Sequence, residues 1–73
     1  MKVTMESTNK IVQINGVNSR IYEGVTESGI HFTAFMTYLK PDDERRSADL
    51  GIELGKSREP SSANVKLASQ MQI

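Results

Sequence analysis

The side chains able to do chemistry are few. His31 is the only histidine, and there is no cysteine. A lone histidine, with no acid at ligand spacing, cannot assemble the three or four donors that a zinc site takes. His31 is therefore expected as a surface residue of its strand. Asp42, Asp43 and Glu44 form a dense acidic cluster that could attract a divalent ion. They also follow Pro41, and a helix N-terminus selects the same residues; that reading is preferred. The serines lack a Gly-x-Ser-x-Gly elbow or a neighbouring base. Gly16, Gly24 and Gly29 are spaced as turn and strand residues rather than as a phosphate cradle. No catalytic residue, metal ligand or cofactor site is expected, and a chain of 73 residues has little room for a closed pocket.

The chemistry that remains is recognition. Arg20 and Tyr22 lie two residues apart, on one face if they share a strand. Both types are enriched at interface hot spots, and an aromatic with a basic group on a sheet also suits RNA stacking. His31, Thr33 or Phe35 is expected across the strand from them. At the N-terminus, Val3 and Met5 alternate with Thr4 in a polar setting of Lys2, Glu6 and Ser7. Such a segment either frays or adds as a strand to a partner's sheet edge. Lys2, Val3, Thr4, Met5, Glu6, Ser7, Arg20 and Tyr22 are the candidate partner-binding residues.

Ile30 to Leu39 is the stretch that must anchor the fold. Ile30, Phe32, Ala34, Met36 and Tyr38 alternate with a mixed set, which predicts a strand with one dry face. Lys10 to Ile14 predicts a first strand. Asn15-Gly16 predicts a type I′ turn, because both of its central residues need positive φ. The chain returns along Val17 to Val25, where Gly24 suggests a bulge or a close backbone approach. Glu27-Ser28-Gly29 predicts the second turn. The sum is an antiparallel meander with its second strand central.

Such a sheet needs a cover. After the acidic start, Ala48 with Ile52 and Leu50 with Leu54 are i, i+4 pairs that could form a helical lid ending near Gly55. A strand is the competing reading, since Ala48, Leu50, Ile52 and Leu54 also alternate and Gly51 costs a helix about 1 kcal/mol. From Lys56 the chain is polar and interrupted by Pro60, and its apolar residues form no clean stripe. The expected fold is α+β: a small three-stranded antiparallel β-meander covered by one helix, with flexible N- and C-terminal tails. Residues 1–9 would be the arm, 10–55 the domain and 56–73 a disordered tail.

Composition narrows the partners. Nine Lys or Arg balance nine Asp or Glu, whereas a free-standing nucleic-acid binder draws most of its affinity from excess positive charge. No apolar run could span a membrane, and the N-terminus has no secretory pattern. A cytoplasmic monomer is expected.

Val12-x-Ile14-Asn15-Gly16, followed by Arg20-Ile21-Tyr22-Glu23-Gly24-x-Thr26-x-x-Gly29-Ile30, resembles a pattern in very small phage and prophage proteins. Length, small-sheet layout and polar tails are similar to those of a small RNA-polymerase-binding transcription regulator, an initiation inhibitor and antiterminator, of a lytic bacteriophage. That resemblance implies a non-enzymatic protein that binds host bacterial RNA polymerase, interferes with the σ factor and promotes antitermination. It also implies that residues 1–9 and the adjacent sheet contact the β′ subunit near the RNA exit channel, with nascent RNA touched indirectly if at all. The other readings are a small nucleic-acid-binding protein using Lys10, Arg20 and Tyr22, and a phage inhibitor of a host defence enzyme.

Overall fold

The computed structural model describes residues 1–70. Strands β1 (Val3–Ile14), β2 (Val17–Thr26) and β3 (His31–Met36) form an antiparallel sheet in the order β1-β2-β3. A short 3-10 turn, Glu44–Arg46, leads into helix α1 (Ser47–Leu54), and helix α2 spans Ser62–Gln70. The α+β class and the central second strand are as the sequence predicts.

The turns set the register. Asn15 and Gly16 have φ of 49° and 81° and join Ile14 directly to its partner Val17, as a type I′ hairpin requires. At the second turn the Gly29 N–H donates to the Thr26 carbonyl and the Thr26 N–H to the Ile30 carbonyl. With Gly29 at φ 91°, this is a type I turn closed by a left-handed glycine. It places Tyr22 opposite Ala34 and Arg20 opposite Met36. Arg20 and Tyr22 therefore share a face with Phe32, Ala34 and Met36, not with His31, Thr33 and Phe35 as expected.

The first strand is longer than predicted. Val3 to Ser7 pair with Thr26 to Tyr22, so the expected flexible arm forms the first half of β1. Its polar side chains bury little; backbone pairing with β2 holds it. The ladder then breaks, because Ser7 pairs with Tyr22 and Ile11 with Arg20. Thr8, Asn9 and Lys10 thus oppose Ile21 alone. The Thr8 hydroxyl donates to the Ile21 carbonyl at 2.7 Å, and the Arg20 guanidinium donates to the Thr8 carbonyl at 2.8 Å. The Asn9 N–H finds the Arg58 carbonyl at 2.9 Å. These bonds give partners to backbone groups that the bulge takes out of the ladder.

The core lies on the β2 face that carries Ser19 and Ile21. Val12, Ile21 and Ala68 are buried together, with Ile14 packed against them. The cover on this face is α2, which falls within the stretch expected as disordered tail. The predicted lid, α1, buries no residue, and Ile52 is 62% exposed. The helix reading of residues 47–54 holds, and Gly55 caps it through bonds to the Gly51 and Ile52 carbonyls. Asp43 accepts from the Arg45 N–H at 3.0 Å and starts the preceding turn. Two helices therefore replace the single one expected. The last part of the predicted tail, 71–73, lies outside the described residues.

Candidate functional site

Gly24 shows why the sheet is shaped as it is. A Cβ on Gly24 would stand 2.5 Å from Phe32 Cζ, 2.7 Å from Met5 Cβ and 2.7 Å from the Thr4 carbonyl oxygen. Met5 and Phe32 are its cross-strand neighbours on either side. The glycine does not create a bulge; of the two expectations, the close approach is the one realised. The Phe32 ring takes the space that a side chain would occupy, and Met5 and Phe32 meet across it as an apolar ledge. Val3, 41% exposed, and Met5, 38% exposed, carry that ledge to the free edge of β1.

The candidate partner-binding residues fall into separate places. Lys2 precedes β1. Val3, Met5 and Ser7 share the Tyr22 face, whereas Thr4 and Glu6 lie on the opposite one. Ser7 is half-buried, its hydroxyl 2.6 Å from that of Ser57. Tyr22 is 7% exposed and cannot serve as an open stacking platform. The Arg20 guanidinium is engaged at the bulge. A groove of about 280 Å³ runs beside them, lined by Ile11, Tyr22, Met36, Leu39 and Leu54 among others.

The opposite face carries a polar cluster that the sequence did not single out. The Glu23 carboxylate accepts from Arg58 Nη1 at 2.6 Å, from Asn64 Nδ2 at 2.6 Å and from the Ser61 N–H at 2.9 Å. The Ser61 carbonyl accepts from the Asn64 and Val65 N–H groups. Glu23 thus meets the first turn of α2, where an anion is stabilised by the helix dipole. Burial pushes the Glu23 carboxyl up, but the donors from Asn64, Arg58 and Ser61 outweigh it and hold the group at about 2. Hydrogen bonding to Glu23 in turn raises Arg58 above its ordinary value. Asn64 Nδ2 also reaches Thr33 Oγ1 at 3.1 Å, so the amide bridges β2 and β3.

Beyond this cluster an open cleft of about 490 Å³ is lined by Thr4, Glu6, Val25, His31, Thr33 and Arg58 among others. Glu6 and Arg58 approach to 3.7 Å at its rim, both exposed, a pairing of little energetic weight. His31 sits at the exposed end of β3. Among the described residues, no three His, Asp or Glu stand close enough to hold a metal ion, and no helix is long and apolar enough to cross a membrane.

The arrangement can bind through apolar strand surface more readily than it can move a proton. The Glu23 carboxylate is held ionised by three donors, and Arg58 is committed to it. No protein-family model matches the chain, and no curated protein or solved structure is detectably similar to it.

Proposed function

We propose that this protein is a non-enzymatic binding module whose partner is a bacterial RNA polymerase, and that it inhibits initiation and promotes antitermination by occupying the polymerase surface near the RNA exit channel. The observation that carries the binding half is the apolar ledge of Val3, Met5 and Phe32. It lies half-exposed on the Tyr22 face and reaches the free edge of β1. An exposed apolar patch on a folded surface is a usual mark of a protein interface. The partner half rests on the resemblance in length, small-sheet layout and polar tails to a small polymerase-binding phage regulator.

The ledge does not need to order on binding, because β1 is already paired with β2. Its contribution to affinity is then not reduced by the entropy that a free arm would lose. Nucleic-acid binding on the sheet is disfavoured, since Tyr22 is buried, Arg20 is engaged and net charge is zero. Calorimetric titration into purified bacterial RNA polymerase, with and without σ factor, is the test. Binding to the core enzyme that σ weakens supports the reading. No heat and no co-sedimentation with either form would refute it.

A further inference from the structure

We propose that the protein forms a two-fold symmetric dimer through β3, with the outward edge of β3 pairing antiparallel to β3 of a second copy and Thr33 facing Thr33 across the axis. This departs from the monomer expected from the sequence, and it does not depend on the identity of any other partner.

The backbone sets the geometry. The Thr26 N–H donates to the Ile30 carbonyl, so Thr26 and Ile30 are a hydrogen-bonded pair. In an antiparallel ladder such pairs recur at every second residue. Phe32, Ala34 and Met36 therefore direct their backbone groups toward β2, and His31, Thr33 and Phe35 direct theirs away from the sheet. Among the described residues nothing bonds to that outer edge: β3 pairs with β2 alone, and the one isolated bridge is between Thr8 and Arg58.

The two edges of the sheet are treated differently. The outer side of β1 is blunted at Thr8 and Asn9, by Arg58, by the Asn9 side chain on Glu59 and by the bulge, and Lys2 just before the strand and Glu6 in its first half add exposed charges. These are the devices that stop an edge from recruiting another strand. β3 has none of them. His-Phe-Thr-Ala-Phe-Met carries no Lys, Arg, Asp, Glu or Pro.

A second copy fits this edge in one register best. Directly opposed residues share a face, so a continuous two-fold sheet must pair residues of like parity. Centring on Thr33 uses every outward group of the strand: His31 exchanges bonds with Phe35, Thr33 with Thr33, and Phe35 with His31. On the other face Phe32 falls opposite Ala34 and Ala34 opposite Phe32, large against small in both positions. Thr33 meets its own hydroxyl-bearing kind, a favourable cross-strand pair. His31 faces an aromatic ring rather than another His31. Asn64 reaches Thr33 from the face of the sheet, not from its edge.

The test uses the absence of cysteine in the chain. In Thr33→Cys, two cysteines opposed on the axis stand at the separation a disulfide takes. Mild oxidation should convert most of it to a covalent dimer, far faster than Ser28→Cys on the exposed turn. Sedimentation of the wild-type protein should give a mass that doubles as concentration rises from micromolar to millimolar. Thr33→Lys, which opposes two charges on the axis, should remain monomeric with its circular dichroism unchanged. If Thr33→Lys fails to fold, the wild-type mass and the cross-linking contrast decide the matter. A wild-type mass that stays monomeric throughout, or a dimer in which Thr33→Cys cross-links no faster than Ser28→Cys, overturns the proposal.

Discussion

Asn64 donates its side-chain amide to the Glu23 carboxylate at 2.6 Å and so fastens α2 to the central strand of the sheet. The helix has little else to hold it. Of its residues only Asn64 and Ala68 are buried, and Ala68 offers a single methyl group to Val12 and Ile21. A hydrogen bond to a charged group contributes roughly 1.5–3 kcal/mol. Asn64→Ala should therefore release α2 while β1, β2 and β3 stay paired. Amide exchange in residues 62–70 should accelerate well beyond that in the sheet. Uniform acceleration across both would mean that helix and sheet open together.

The same carboxylate makes stability depend on acid. Glu23 is lowered from 4.5 to about 2 in the folded state. The unfolded chain then binds more protons between those two values, so stability rises with pH across that window. Its contribution is present above about pH 4.5 and is lost as pH falls toward 2. The group is only partly shielded from solvent, so roughly 1–3 kcal/mol is the scale to expect. Glu23→Gln should melt lower at neutral pH and show a flatter acid limb. A wild-type melting temperature that is unchanged from pH 5 to the acid limit would contradict the assignment.

Gly24 tolerates no side chain. In Gly24→Ala the new methyl meets a ring carbon, a Cβ and a backbone oxygen, all closer than 3 Å. The Phe32 ring can swing away, but the Thr4 carbonyl and Met5 Cβ are fixed by strand pairing. Overpacking of this kind costs roughly 1–3 kcal/mol. Trimming Phe32 to leucine in the same chain should recover only part of that loss, as read from urea denaturation of both variants. Full recovery would show that the backbone contact is softer than its distance implies.

The parts of the fold readable from sequence were those with a strong local cause. Asn15-Gly16 and Glu27-Ser28-Gly29 fixed both hairpins, and Pro41 to Glu44 fixed the start of a helix. The face of Arg20 and Tyr22 was also readable. A three-residue turn after Thr26 forces Tyr22 opposite Ala34, yet the alternation of apolar residues in β2 alone suggested the reverse. Helix α2 was not readable. Its buried stripe is Asn64 and Ala68, one polar residue and one small one, which leaves no apolar period to detect. The strand character of Val3 to Ser7 was hidden for a related reason: backbone pairing to β2 holds it, and its side chains stay exposed apart from half-buried Ser7. Glu23 looked like an ordinary strand acid because its partners Arg58, Ser61 and Asn64 lie far along the chain.

That pairing changes what a truncation tests. Removing Lys2 to Ser7 strips β2 of its neighbours from Tyr22 to Thr26 and uncovers Gly24, so the melting temperature should fall and any loss of binding would be ambiguous. Point changes on the exposed ledge separate the two effects. Val3 and Met5 keep more than a third of their surface in solvent, and carboxylates there can remain hydrated. Val3→Glu with Met5→Glu should leave the sheet folded, with a modest drop in melting temperature from poorer strand propensity. At an interface the same carboxylates would be desolvated without partners, which is costly. Affinity for purified bacterial RNA polymerase should fall at least tenfold, about 1.4 kcal/mol. Changing Val17 and Val65 to Glu, on the opposite side of the molecule, should leave it unchanged. Equal losses from both pairs would mean that charge, not the ledge, governs the contact; undiminished affinity in the first pair would remove Val3 and Met5 from the interface.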